Sequence, residues 1–319
     1  VYPLQNFRPQ NYCFRIYYAR ITGIFLFFPK YLFIFITKFY STHPKYTRMK
    51  YKITTLVENC VYGRQLRAEH GLSLYIETPE HKILFDTGAS DLFIHNANVL
   101  NIDLKQVDYL ILSHGHSDHT GGLQHFMTLN ETAKIACKKE ILYPKFKENR
   151  ENGIRETELS ERSRFLYINN TTELVPGLFI FPHIEIVDPE DTHFDRFYTR
   201  KAESKIPDTF EDELAIALIT NNSFSVISAC SHRGITNMIR TIQNRFPALS
   251  PDLILGGFHI HNAETEKFNV IAHYLAANPP ERMGTCHCTG VDKYALFHQQ
   301  FNDRVFYNYT GSVIGIEEL

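Results

Sequence analysis

Short apolar and β-branched runs at residues 52–57, 72–78 and 82–85 predict three strands of a meander, with Pro79-Glu80 as the turn between the last two. Residues 91–100 read as a helix with Ser90 as its candidate N-cap, and 107–112 as a strand. A short helix at 122–129 and a strand at 134–137 follow. Residues 138–164 are charged and turn-rich without sustained periodicity, which predicts an insertion or lid over a site rather than core. The second half repeats the rhythm. Strands are predicted at 178–181, 214–220 and 224–229, the last two joined by Asn221-Asn222, while 188–212 is again polar and loop-like. Residues 234–246 place Ile235, Met238, Ile239 and Ile242 on one face of a helix. Strands at 252–255, 282–285 and 304–309 then alternate with helices at 264–277 and 292–301. Strands come first, helices are interleaved later, and no long linker separates the halves. This predicts an α/β (α+β) fold in which two mixed sheets pack face to face beneath outer helices, an αββα sandwich.

The chemistry concentrates where the 107–112 run must stop. Ser113-His114-Gly115-His116-Ser117-Asp118-His119 holds three imidazoles and a carboxylate, far more ligand capacity than a core or an ordinary loop needs. His114 and His116 are two apart and point the same way in extended backbone. Asp118 and His119 follow a turn and, being adjacent, cannot aim at one point as easily. The spacing suggests two neighbouring metal positions, the first taking His114 and His116, the second Asp118 and His119. Nitrogen-rich ligation with a carboxylate suits zinc. A histidine-rich surface loop is the plain alternative.

His-x-His-x-Asp-His after a strand, with Thr120-Gly121-Gly122 opening a helix, resembles the signature of the metallo-β-lactamase superfamily. Lys82-Ile83-Leu84-Phe85-Asp86-Thr87-Gly88 is similar to that superfamily's strand ending in an Asp-x-Gly turn. The resemblance runs from Met49 to Leu319 and implies the metallo-β-lactamase fold. Four further phrases narrow it: Ala68-Glu69-His70-Gly71-Leu72-Ser73, Ala229-Cys230-Ser231-His232-Arg233-Gly234-Ile235, Gly256-Gly257-Phe258-His259 and Cys286-His287-Cys288-Thr289-Gly290. They resemble the subgroup labelled dihydropterin-ribofuranosyl-aminobenzene-phosphate synthase-like. The scaffold carries hydrolases of many ester, amide and phosphodiester types, so a substrate has to be argued from the site.

A two-metal site needs more ligands than the first motif supplies. His232, His259 and His287 each follow an apolar run, and ligands delivered at the same end of adjacent strands can converge. His232 is expected as the third ligand of the first metal. For the second, the phrase around His287 resembles the superfamily's closing histidine turn, with His259 as the close competitor. Asp86 is expected to orient a ligand histidine and fix its tautomer rather than to bind metal. The chain departs from the common pattern in one place. Most members carry a metal-bridging aspartate at the end of the strand equivalent to 224–229, where this sequence has Cys230 and Ser231. Either the Cys230 thiolate takes that place, or His232 does the work and water bridges alone. As a small residue at a strand end, Cys230 also has a plain packing role. Cys286 and Cys288 flank His287 and alternate in direction, so both binding metal is not expected. Glu69 and His70 precede a strand and could face the cleft, and Arg233 could hold an anionic substrate group. A solvated or structural side chain explains each of the three equally well.

Composition bounds the classes. The 319 residues are 44% hydrophobic and 21% charged with a net charge of −2, and no Lys/Arg-rich block is visible, which argues against a nucleic-acid partner. Six cysteines, at 13, 60, 137, 230, 286 and 288, show no regular framework, so reduced thiols in a cytoplasmic protein are expected. Residues 1–48 stand apart. The apolar and aromatic run at 21–40 has the length of about 20 residues that a bilayer span needs. Pro29 and Lys30 interrupt its middle, and a central Lys costs roughly 3 kcal/mol on insertion scales. Met49-Lys50-Tyr51-Lys52-Ile53 reads like a natural start leading into a strand. The expected organisation is an extension or artefact at 1–48 outside a metallo-β-lactamase-like domain at 49–319. A membrane anchor at 21–40, or a disordered or packed arm, are the other readings.

With the resemblance, the expected function is a zinc-dependent metallohydrolase with a dinuclear site, iron or manganese being alternatives to zinc. Its substrate would be a small, anionic ester-, phosphodiester- or lactone-type molecule. Zinc lowers the pKa of bound water toward about 7 and polarises the electrophile's oxygen. Asp118, beside His119, can both ligate and accept the nucleophile's proton. Three other classes compete. The subgroup label implies a transferase or synthase acting on a phosphorylated pterin-type precursor. A di-iron oxidoreductase of the same fold would favour a carboxylate where His116 stands, and no flavin-binding segment is appended here. The third is a binding protein whose metals are structural.

Overall fold

A computed structural model describes residues 48–154 and 162–318. The expectations for residues 1–47, the apolar run at 21–40 among them, lie outside the described residues, as do 155–161 of the expected insertion. Among the described residues no helix is long and apolar enough to cross a membrane.

The chain lays down strands β1 (Arg48–Val57), β2 (Ser73–Glu77) and β3 (Lys82–Phe85), helix α1 (Leu92–Val99) and β4 (Tyr109–Ile111). The single-turn α2 (Ser117–Thr120), α3 (Leu123–Leu129) and β5 (Lys134–Cys137) come next. Four short strands follow: β6 (Lys145–Lys147), β7 (Arg150–Glu151), β8 (Phe165–Tyr167) and β9 (Thr172–Val175). Strands β10 (Leu178–Phe181), β11 (Phe197–Lys201), β12 (Ser204–Pro207), β13 (Ala215–Ile219) and β14 (Ser223–Ile227) lead to α4 (Ile235–Arg245). The remainder alternates: β15 (Ser250–Gly256), α5 (Thr265–Ala277), β16 (Arg282–Thr285), α6 (Val291–Phe301), β17 (Val305–Tyr307) and β18 (Val313–Glu318).

Two seven-stranded sheets result, in the orders β18-β1-β2-β3-β4-β5-β8 and β17-β16-β15-β14-β13-β10-β9. Each joins an antiparallel meander to parallel strands, at β3–β4–β5–β8 in the first and β14–β15–β16–β17 in the second. β18 alone crosses back, pairing antiparallel with β1. Side-chain alternation then sets the layers. In β13, Ile216 and Leu218 join the core between the sheets while Ala215 and Ala217 join the helix-covered face. The inner core packs Ile53, Leu74, Phe85 and Ile111 with Leu178, Ile180 and Ile227. Phe93 of α1 and Phe126 of α3 seal the first sheet from outside, and Met238, Ile271 and Phe297 of α4, α5 and α6 seal the second. This is the αββα sandwich that the hydrophobic pattern predicts.

Two expectations are corrected. Residues 138–164 and 188–212, read as irregular, pair with one another in a third sheet, β12-β11-β6-β7, that is antiparallel throughout. Its strands are only two to five residues long, too short for a periodicity window to register, and the β6–β11 pairing that joins its two hairpins links segments some fifty residues apart. β18 falls in a stretch for which no strand is predicted; β1 supplies the edge that makes it one.

Candidate metal centre

The residues following the carboxyl ends of the parallel strands β3, β4, β14, β15 and β16 converge, the usual place for a ligand in a sheet of this kind. The backbone turns sharply there. Asp86, Ser231, His259 and His287 sit at φ of 57°, 54°, 53° and 50°, a left-handed region that costs a non-glycine residue ~1–3 kcal/mol.

His114, His116 and His232 form a deeply buried group, with ligand-capable atoms within 4.8 Å of one another and no residue more than 3% exposed. Phe210 stacks on the His232 ring with centroids 3.7 Å apart, and Phe197 packs on His116 at 4.9 Å. His232 Nδ1 lies 3.2 Å from the His193 carbonyl, and His114 Nδ1 lies 2.9 Å from Ser113 Oγ. The Nε2 atoms of all three are buried without a hydrogen-bond partner. A partnerless buried polar atom costs ~1–3 kcal/mol, so three directed to one place fit a cation that takes their lone pairs. Burial drives all three rings toward the neutral, ligating form, His116 down to about 3.

Asp86, fully buried, ties the motif together. Its Oδ1 accepts from Ser113 N at 2.8 Å, and its Oδ2 accepts from Ser113 Oγ at 2.7 Å and meets His119 Nδ1 at 2.8 Å. His119 Nε2 is thereby directed at Cys230 Sγ, 3.2 Å away, with Asp118 Oδ2 at 3.7 Å, and it groups with His114 and Cys230. Burial lowers the His119 pKa, but Asp118 and the bond to Asp86 outweigh it and raise it.

Asp118 belongs to an outer group. Its Oδ2 lies 3.3 Å from His70 Nε2 and 3.4 Å from His287 Nε2. Burial raises its pKa, yet the His119 charge and the contacts with His287 and His70 hold the carboxylate well below its usual range. His287 Nδ1 faces Asn59 Oδ1 at 2.9 Å, and its backbone N donates to Glu58 Oε1 at 2.6 Å. Cys230 belongs to three groups, with His114 and His119, with His232 and His259, and with His287 and Cys288. Burial and the neighbouring Cys288 push its thiol pKa well up. His259 stands with Cys230 and His232, its Nδ1 buried and partnerless.

Two residues considered for substrate contact are engaged elsewhere. Glu69 accepts from Ala89 N, Ser90 N and Ser90 Oγ, holding the turn after β3. Arg233 donates to the carbonyls of Ile184 and Thr209. Neither lines the cavity above the histidines. That cavity, 2070 Å³, is walled in part by His70, His259, His287, Lys147 and Arg150. It exceeds the ~300–1,000 Å³ of a common small-ligand site, which suits an extended substrate.

The sequence reading missed His193 and Lys145. His193 is 6% exposed, its N donates to the His232 carbonyl at 2.8 Å, and its ring lies 5.5 Å from that of His259. Its only signal was a lone histidine in a polar stretch. Beneath the motif, Gly115 N donates to Asp212 Oδ2 at 2.7 Å, and Lys145 Nζ on β6 donates to Asp212 Oδ1 at 2.6 Å and Asp208 Oδ2 at 2.8 Å. That buried ion cluster joins the third sheet to the His114–His119 loop, and nothing in the local sequence announces it.

The metallo-beta-lactamase superfamily model matches residues 66–197. Over 283 residues the chain is 29% identical to a Methanocaldococcus jannaschii protein described as 7,8-dihydropterin-6-methyl-4-(beta-D-ribofuranosyl)-aminobenzene-5'-phosphate synthase, covering 82% of this chain and 96% of that one. Among solved structures, a metal-dependent hydrolase of the beta-lactamase superfamily superposes with a TM-score of 0.75 at 26% identity, over 84% of this chain and 100% of the other. The metallo-beta-lactamase fold protein YhfI from Bacillus subtilis, at 13% identity and a TM-score of 0.54 over 84% and 100% of the two chains, shares the fold.

Proposed function

Because the chain belongs to the metallo-beta-lactamase superfamily, we propose that it is a zinc-dependent hydrolase with a two-ion centre. Its substrate would be an anionic small molecule carrying an ester-, phosphodiester- or lactone-type bond. The observation that carries this is the convergence of three buried, partnerless imidazole nitrogens, from His114, His116 and His232, beneath an open cavity. Those three would hold the deeper ion; Asp118, His119 and His287 would serve the outer one, with Cys230 between and His70 and His259 flanking. When bound, zinc supplies Lewis acidity toward a carbonyl or phosphoryl oxygen and lowers the pKa of water. The protein's own part is then specific. Asp118, kept ionised by its histidine neighbours, accepts the proton of the attacking water at Oδ2. Phe197 and Phe210 close the deep side against solvent. Lys147, Arg150, Arg196 and Lys267 on the cavity wall would be the groups to meet an anionic substrate, set among the acidic Glu148, Glu190, Asp195, Glu264 and Glu266. The five described cysteines are free thiols, in keeping with a cytoplasmic setting.

One observation favours a second reading. The 29% identical relative is named as a synthase of a dihydropterin joined to a phosphorylated ribofuranosyl-aminobenzene, and the cavity has room for two reactants. Metal analysis of protein purified without added metal, followed by a panel of phosphodiester, lactone and thioester substrates, tests the first reading. Zinc with turnover of a panel member supports it. Product formed solely from a pterin-type compound and a phosphorylated ribosyl-aminobenzene would replace hydrolase with synthase.

A further inference from the structure

We propose that Cys288 is a metal ligand, and that with Cys230 and His287 it makes the outer position a sulfur-containing one. The inference rests on the two-ion reading above and adds a ligand that reading does not contain.

Three residues in a row, Cys286, His287 and Cys288, would alternate in extended backbone and send both sulfurs away from the imidazole. The fold breaks that alternation. Cys286 keeps an extended φ of −157° and is fully buried in the apolar core between the sheets. His287 then turns to φ 50°, and His287–Thr289 forms a 3₁₀ turn. The turn carries Cys288 to the same side as His287. Cys288 Sγ, Cys230 Sγ and one imidazole nitrogen of His287 lie within 4.8 Å of one another, and all three residues line the cavity. Space for the sulfur comes from Gly257, where a Cβ would stand 2.5 Å from Cys288 Sγ. Cys288 Sγ makes a long hydrogen bond to the Cys230 carbonyl at 3.7 Å and also interacts with the Cys230 thiol.

Packing accounts for Cys286, which apolar side chains enclose. It does not account for Cys288, whose sulfur faces an open cavity beside two further donor atoms. Two sulfurs and an imidazole are a donor set that suits tetrahedral zinc, and thiolates discriminate against manganese and magnesium. The strained backbone at His287 is what brings the donors together, and such strain clusters at functional sites.

Cobalt(II)-substituted full-length protein, kept reduced with a non-chelating phosphine, tests this without recourse to activity. A near-ultraviolet sulfur-to-cobalt charge-transfer band is expected, and Cys288→Ser should lose about half of it, one thiolate of two. Cys60→Ser is the thiol control and should leave the band intact. Bound cobalt whose band is absent, or unchanged in Cys288→Ser, overturns the proposal. Failure to bind cobalt at all would instead bring down the two-ion reading, and this inference with it. Should Cys288→Ser not fold, the wild-type chain still decides. Zinc should slow iodoacetamide alkylation of Cys288, read by peptide mass spectrometry, at least tenfold more than that of Cys60. Equal protection of the two cysteines refutes ligation by Cys288.

Discussion

The two donor groups on the cavity floor differ in how far the protein has prepared them. In the deep group, partners on Nδ1 turn His114 and His232, aromatic rings wall His116 and His232, and three Nε2 atoms have nothing to bond. In the outer group His70 has a side chain 70% exposed, and His287 Nε2, although it too is buried without a hydrogen-bond partner, lies 3.4 Å from Asp118 Oδ2, which also meets His70 at 3.3 Å. Donors without partners give up nothing when a cation arrives. Donors already paired must exchange one contact for another, and an exposed one must also lose rotamer freedom. The deep position should therefore bind more tightly and release last, while the outer one is adjustable.

The strongest attack on this comparison is His116→Ala. It removes one of three deep nitrogens and should abolish hydrolysis, with deep-site metal affinity falling more than ~100-fold, since even residues that merely orient ligands cost 10–100-fold. Metal content of the purified variant checks it; full metal with wild-type turnover would sink the two-ion assignment. Lys145→Met comes next. It strands Asp208 and Asp212 as buried carboxylates, and a broken buried ion pair costs ~3–5 kcal/mol, readable by urea unfolding. Because Asp212 also holds Gly115 N, the remaining folded protein should lose deep-site affinity first. A smaller effect is expected from His70→Ala. A chelator titration should show the weaker of two metal populations released at lower chelator concentration than in the wild type, with the tighter one unmoved. If both populations shift together, the two positions are not independent. The least effect belongs to a chain beginning at Met49. The donors described here lie between His70 and Cys288, so both positions and the activity should match the full chain.

What the sequence disclosed follows the range of the forces involved. The His114–His119 motif is legible because its spacing and the strand before it are local. The sandwich is legible because alternation along β13 or β15 is set by burial on both faces. What the motif does not disclose is how Asp118 and His119 divide: α2 separates adjacent side chains by about 100° around its axis, so Asp118 faces His70 and His287 while His119, with its Nε2 3.7 Å from Asp118 Oδ2, also reaches Asp86 and Cys230. Arg233 follows the candidate ligand His232 but leads to the backbone of Ile184 and Thr209, beyond the left-handed turn at Ser231. Lys145 and His193 reach the site through a sheet whose strands pair across some fifty residues (Phe197 with Lys147, for example), and no local pattern encodes that.

The pairing of β18 with β1 bears on how the protein is made. β1 emerges from the ribosome early, while its partner, registered from Arg48↔Glu318 to Thr54↔Val313, follows some 260 residues later. Throughout that interval the first sheet presents an unpaired edge, the feature that templates association with other chains. The donors are likewise split, His114 to His119 on one sheet and His232 to His287 on the other, so metal cannot clasp the halves until the second sheet exists. Deleting residues 313–318 should accordingly move the protein from the soluble to the insoluble fraction on expression. The nascent chain just short of β18 is thus the species that most needs a chaperone's protection.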